Sequence, residues 1–187
     1  SKYGATVYGL DIRPQDAPFR VLKVDLLCVS SIKQVCEDLE VNALVNTAGG
    51  FSIDETSYGP CEKNWEKMFE LNVLTLRNSL KVIVPKLLEK KAGNIVNVGA
   101  ASALKGSPKL CSYICAKSAV IKITETMAEE LKSLNIKVNA ISPNIIDTPP
   151  NRIEMPDADP SLWTKPEEIA EVISFLCSEK SSCISGA

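Results

Sequence analysis

A single rhythm most constrains what this chain can fold into: short apolar runs rich in β-branched residues alternate with longer amphipathic stretches. A strand buried on both faces of a parallel sheet needs a crossover of a dozen or more residues, usually a helix, so this alternation specifies repeated βα units. Strands are expected at 4–10, 20–24, 42–46, 94–98 and 136–141. A helix opened by a serine cap should span 30–39. A long one should run 64–80 and on to 88 through a kink at Pro85, and another 112–134. A last helix, 166–178, has Thr164 as its expected cap, near Glu167 and Glu168. No repeat or linker divides residues 1–187, so the expectation is one α/β domain, a doubly wound parallel sheet with helices on both faces.

Composition narrows the chemistry. The chain has no histidine, which excludes Ser-His and Cys-His nucleophile pairs and histidine-ligated metal sites. A net charge of -2 gives no electrostatic reason to expect nucleic acid or an anionic membrane as partner. The longest apolar runs are far too short to span a bilayer. The seven cysteines are odd in number and contain no Cys-x-x-Cys, which fits reduced thiols packed as small hydrophobes in a cytoplasmic protein. Cys111 and Cys115 flank Tyr113 and are open to a redox reading as well as to a packing one.

Both ends look unfinished for a doubly wound sheet. Such sheets ordinarily begin with a strand and a Gly-rich turn that holds a pyrophosphate, yet there is no Gly-x-Gly-x-x-Gly here. Ser1-Lys2-Tyr3-Gly4 looks like the end of a helix leading into a second strand, and the chain stops at Ser185-Gly186-Ala187, where a further strand is expected. The expectation is an incomplete chain, missing its first strand, pyrophosphate loop and last strand.

The chemistry centres on Tyr113-Ile114-Cys115-Ala116-Lys117, which puts a phenol and an ammonium four residues apart on one side of a helix. A neighbouring Lys+ favours phenolate and would make the tyrosine a proton donor and acceptor near neutral pH. Around this pair stand Asn46-Thr47-Ala48-Gly49 after a strand, Asn72 inside a long helix, and Pro143-Asn144-Ile145-Ile146-Asp147-Thr148 after the strand that follows the Tyr-Lys helix. In this order and spacing the set resembles the short-chain dehydrogenase/reductase family, over essentially the whole chain. The resemblance implies a Rossmann-type fold and an NAD(P)(H)-dependent oxidoreductase acting on a small-molecule substrate by hydride transfer at nicotinamide C4. It implies Tyr113 as acid/base, and Lys117 as the group that lowers the phenol pKa and binds the nicotinamide ribose. Asn72 matches the helix-kinking asparagine that holds a relay water. Asn46, Ala48 and Gly49 match the segment near the cofactor's adenosine half. Pro143, Ile146 and Thr148 match the loop around the nicotinamide carboxamide.

Asp11 ends the strand at 4–10, where a carboxylate accepts hydrogen bonds from a ribose 2′-OH and repels a 2′-phosphate. NAD(H) is therefore favoured over NADP(H), although Arg13 would reverse this if it turned to the same oxygen. Asp25 resembles the family's adenine-contacting acid and reads equally as a strand-end turn residue.

One departure stands out. Thirteen residues before Tyr113, where the family places a carbonyl-polarising serine, stands Ala100, with Ser102 two residues further on. The run Gly99-Ala100-Ala101-Ser102-Ala103-Leu104-Lys105-Gly106 resembles dihydropteridine reductases, which keep the Tyr and Lys without that serine. The substrate it suggests is a quinonoid dihydropterin-like ring. The alternatives are a carbonyl or 3-oxoacyl reductase, or a non-catalytic nucleotide-binding or scaffold protein on the same fold. The loop 145–163 reads as a substrate lid or as a plain surface loop. Family members commonly form homodimers or homotetramers through the two long helices, here 64–88 and 112–134, with Met68, Leu71, Leu76, Val120, Ile123 and Met127 as candidate contacts.

Overall fold

The computed structural model describes residues 4–59 and 62–187, with the side chain of Glu154 left aside. Five strands alternate with six α-helices: β1 (Tyr8–Asp11), β2 (Arg20–Lys23), α1 (Val29–Cys36), β3 (Ala43–Asn46), α2 (Glu62–Phe69), α3 (Thr75–Lys90), β4 (Gly93–Val98), α4 (Cys111–Leu131), β5 (Ile136–Ile141), α5 (Pro149–Glu154) and α6 (Pro166–Leu176). Every strand pairing is parallel, as the alternation requires. The strands fall into two hydrogen-bonded groups, β1-β2 and β3-β4-β5.

β4 shows why the sheet is doubly wound. Ile95 and Val96 are both fully buried although successive side chains point to opposite faces. On the Ile95 face, Asn97 Nδ2 reaches Thr124 Oγ1 of α4 at 2.8 Å. On the Val96 face, Asn94 Nδ2 reaches the carbonyl of Cys177, just past α6, at 3.1 Å. A core of Val24, Ile32, Leu76, Leu87, Ile95 and Val138, among others, lies between the sheet and α1, α3 and α4. At the far end, Gly186 donates to Val138 O at 2.9 Å and Ala187 O accepts from Ala140 at 2.7 Å, so the last residues run beside β5.

Several boundaries differ from expectation. The first strand is shorter, beginning at Tyr8, and the expected helix end at Ser1–Tyr3 lies outside the described residues. Helix α1 starts at Val29 with Cys28 at its cap and no side-chain cap bond, because Ser30 already lies inside the first turn. Lys165, not Thr164, stands at the cap of α6, where Glu168 accepts from its backbone N–H at 2.8 Å. The helical run expected at 64–88 continues through Pro85, which sits inside α3. The irregularity lies earlier, in a π-turn, Glu70–Leu74, that separates α2 from α3 and contains Asn72. The 112–134 helix begins one residue sooner and tightens into a 3₁₀ turn at Lys132–Leu134. Among the described residues, no helix is long and apolar enough to cross a membrane, and no cluster of three or more His, Cys, Asp or Glu could hold a metal ion.

Candidate active site

β1, β3, β4 and β5 run parallel within their sheets, so Asp11 ends β1 while Gly49, Gly99 and Pro143 follow the carboxyl ends of the other three. Ligands of open α/β sheets bind at that edge. The segment after β3 runs against the π-turn. Asn72 Nδ2 donates to Gly50 O at 3.0 Å and to Met68 O at 2.9 Å, and Asn72 Oδ1 accepts from Gly50 N at 3.2 Å. Pairing with Met68 four residues back takes up the asparagine amide inside the widened turn. Both N–H groups of the Asn72 amide are thereby committed to the protein.

Gly49 is placed where a side chain will not fit. A Cβ there would stand 2.6 Å from Asn72 Oδ1 and 3.3 Å from Lys117 Nζ. Gly49, Asn72 and Lys117, which belong to three separate segments, therefore meet at one point. Lys117 is buried and donates to the carbonyl of Val98, the last residue of β4, at 2.8 Å. One turn earlier on α4, the half-buried Tyr113 takes the edge of Phe51, with ring centroids 5.0 Å apart and planes at 78°.

Burial dominates the electrostatics of this pair. It pushes the Tyr113 phenol above its ordinary value of 10 and pulls Lys117 down to about 8. The expectation from the Tyr-x-x-x-Lys spacing was the reverse for the phenol. Desolvation acts on both groups here, and it favours the neutral form of each. Lys117 near 8 is poised to lose or take a proton near neutral pH. Burial and the neighbouring Cys111 likewise push the Cys115 thiol up, away from thiolate.

The other candidate residues are held differently. Asn46 is buried with its Nδ2 on Asn97 Oδ1 at 2.8 Å, so its amide belongs to a ladder running through Asn97 to Thr124. Ala48 is exposed between it and Gly49. Asp11 and Asp25 are exposed strand-end residues whose carboxylates accept the N–H of Arg13 (2.7 Å) and of Leu27 (2.9 Å). Pro143 O accepts from Ala101 at 3.0 Å, Ile146 bridges to Thr164, and Thr148 caps α5 through the N–H of Asn151 at 3.4 Å. The 145–163 segment is closed at its base by Asp147 N to Thr164 O and Thr164 N to Ile145 O, both 2.9 Å, and buries Trp163. Ala100 is buried at the start of a 3₁₀ turn, Ala101–Leu104, which contains the half-buried Ser102. Phe51 and the acceptor Val98 O went unassigned in the sequence. Only the structure brings them to Tyr113 and Lys117.

The residues present suit a nicotinamide nucleotide on its nicotinamide side. Gly49 leaves bare backbone beside a buried ammonium, and the phenol stands on the same helix face as that ammonium.

A family model described as short chain dehydrogenase matches residues 11–158. A 3-oxoacyl-acyl-carrier-protein reductase of Thermotoga maritima is 33% identical over 169 residues, covering 83% of this chain and 68% of the relative. Dehydrogenase/reductase SDR family member 6 of Xenopus laevis is 29% identical over 179 residues, covering 87% and 73%. A solved 3-oxoacyl-acyl-carrier-protein reductase with bound NAD from Brucella melitensis superposes with a TM-score of 0.78 at 27% identity, over 90% of this chain and 68% of that one.

Proposed function

Since the chain belongs to the short-chain dehydrogenase family, whose enzymes are NAD(P)-dependent oxidoreductases, we propose that Tyr113, Lys117 and Asn72 form its reaction centre within one Rossmann-type domain. The observation that carries this reading is the convergence of Gly49, Asn72 and Lys117 at one point, with Tyr113 one turn away on the same helix.

The bound nicotinamide would supply or accept a hydride at C4. Tyr113 gives or takes the accompanying proton at its phenolic oxygen. Lys117, fixed by Val98 O, keeps N–H groups for a ribose hydroxyl and a charge for the phenolate as it forms. Asn72 fixes the Gly50 backbone against the helix and so holds in place the segment that would pack against the cofactor. Asp11 at the end of β1 favours NAD(H) over NADP(H), with Asp25, Ala48, Pro143, Ile146 and Thr148 around the remaining cofactor.

Buried Ala100 leaves the substrate side without the expected hydroxyl donor. This supports a flat, imine-bearing ring of the quinonoid dihydropterin type, where a carbonyl-polarising donor matters less. The names of the Thermotoga and Brucella relatives favour a second reading, reduction of a 3-oxoacyl thioester. Ile123 and Met127 of α4 pack against the core yet, like Leu71, keep part of their surface exposed for a homo-oligomer, whereas Met68, Leu76 and Val120 are fully taken up by the core. Six unpaired cysteines among the described residues support a reducing, cytoplasmic setting.

The deciding assay follows NADH oxidation by wild type and Ala100→Ser on quinonoid dihydropterin, a 3-oxoacyl thioester and a simple ketone. The dihydropterin should be fastest, and the added hydroxyl should help it little. A wild-type preference for thioester or ketone overturns the pteridine reading and leaves the oxidoreductase standing.

A further inference from the structure

Helix α4 carries Tyr113 as its third residue, yet nothing local caps it. Its cap residue, Leu110, offers no side-chain acceptor, and Lys109 before it is in the left-handed region at φ 61°. The acceptor comes instead from Asp54, 58 residues away, in the segment that follows β3. Asp54 Oδ2 accepts the backbone N–H of Ser112 at 2.9 Å, and Oδ1 accepts the Ser112 hydroxyl at 2.8 Å. The Asp54 N–H donates in turn to Lys109 O at 2.8 Å, fixing the left-handed residue. Asn64 of α2 donates to Asp54 Oδ1 and to Ile53 O, both at 3.2 Å, and accepts from Ser52 Oγ at 3.1 Å.

Asp54 is 2% exposed and every bond to its carboxylate is from a donor. Burial alone would push the carboxyl up, but the donors of Ser112 and Asn64 outweigh it and hold it below its ordinary range. The carboxylate is therefore ionised at neutral pH. An amide cannot replace it, since one of its two ends would present a donor to Ser112 or Asn64.

The segment that Asp54 anchors contains Gly49 and Gly50, which lie on Asn72, and Phe51, whose ring meets Tyr113. We propose that Asp54 is a positioning residue for Tyr113: by capping α4 from the β3–α2 segment it locks the phenol in register with Gly49 and Asn72. This rests on the reading of Tyr113 as the proton donor. The cap acts on the residue next to the phenol, while Phe51 on the same segment sets the phenol's wall. A small shift of either displaces the proton from its acceptor, and displacements near 1 Å cost on the order of a hundredfold in well-aligned sites.

The test uses five forms of the protein besides wild type: Tyr113→Phe, Asp54→Asn, Ser112→Ala, Asp54→Ala, and Asp54→Ala combined with Leu110→Asp, which supplies a local cap but no tie to the segment. NADH oxidation is followed on quinonoid dihydropterin and on a 3-oxoacyl thioester, together with thermal stability and NADH affinity. The Tyr113 phenol is titrated by ultraviolet difference spectroscopy, with Tyr113→Phe as the blank. Asp54→Asn should lower kcat by about tenfold to a hundredfold with NADH affinity within about twofold, and should let the phenol titrate lower as its surroundings open. Ser112→Ala, which keeps the backbone bond, should lower kcat by about threefold in the same direction. The Leu110→Asp double variant should recover thermal stability over Asp54→Ala without recovering kcat. Recovery of both, or an unchanged phenol titration in Asp54→Asn, would overturn the positioning role. Wild-type turnover by Tyr113→Phe would instead remove the catalytic reading of Tyr113, and the titration would still report whether Asp54 holds its ring.

Discussion

Around Tyr113 and Lys117 the groups that meet are 19 to 58 positions apart in the chain: Lys117 on Val98, Asn72 on Gly50, Asp54 on Ser112. Beside Asp11 and Asp25, by contrast, each carboxylate closes a turn on an N–H two residues ahead, in full view of solvent. The first region is a knot in which the buried Lys117, Asn72 and Asp54 are each held by a partner from a distant segment, and losing one leaves a costly unpaired group behind. The second is built from independent local turns whose side chains exchange readily with water. Chemistry that needs atoms held to fractions of an ångström belongs in the first. The proposed discrimination of NAD(H) from NADP(H), which rests on one or two hydrogen bonds, needs only the second.

Removing the ammonium should break the knot most severely. Lys117→Met should lower turnover by about a thousandfold, since both proton chemistry and ribose binding lose their partner. It also has a stability signature of definite sign. Burial lowers the folded-state pKa of Lys117 from 10.5 to about 8, so between those pH values the unfolded chain binds the extra proton. Wild-type stability therefore gains as pH rises through that window, by roughly 3 kcal/mol, and the charged side chain is a burden below it. Denaturant midpoints should show Lys117→Met gaining on wild type near pH 7 and losing that advantage by pH 10.5. A pH-independent difference would show that Lys117 is not desolvated. Next in size is Gly49→Ala, whose Cβ would press to 2.6 Å on an Asn72 oxygen that is itself pinned. Its kcat/KM for NADH should fall by about tenfold to a hundredfold, with circular dichroism unchanged. The smallest effect is expected in the local-turn region. Asp11→Asn should narrow the preference for NADH over NADPH by about tenfold while kcat stays near wild type. An equal loss of kcat would tie Asp11 to the knot and dissolve the contrast.

The sequence foretold the regular parts of the molecule, because strand and helix periodicities are local. Five parallel strands and the four longest helical regions lie within a few residues of where apolar spacing puts them. Interruptions are set by partners from elsewhere, and there the reading missed. Pro85 is a visible local signal and lies inside α3, whereas the π-turn at 70–74 has none: it surrounds Asn72, whose amide bonds Gly50 across 22 residues. The cap of α6 lies one residue, and that of α1 two residues, from the threonine and serine that local sequence favours, because Lys165 and Cys28 take those positions. Within the candidate site, spacing alone puts Tyr113 and Lys117 on one helix face, and family resemblance supplies their proposed roles. Gly49 was placed by resemblance alone, and its tight fit against Asn72 emerged only from the structure. Asp54 carried no local signal, since its only relation to Tyr113 is that two distant segments meet.

We propose that α4 presents Tyr113 as the proton donor to a substrate beside a cofactor that Lys117 would hold. Single-turnover oxidation of bound NADH by Tyr113→Phe, with NADH affinity measured on the same sample by fluorescence titration, tests it most directly. The rate should fall by about a hundredfold to ten-thousandfold at an affinity within about twofold of wild type. A rate equal to wild type at that same affinity would contradict it and place the proton donor elsewhere.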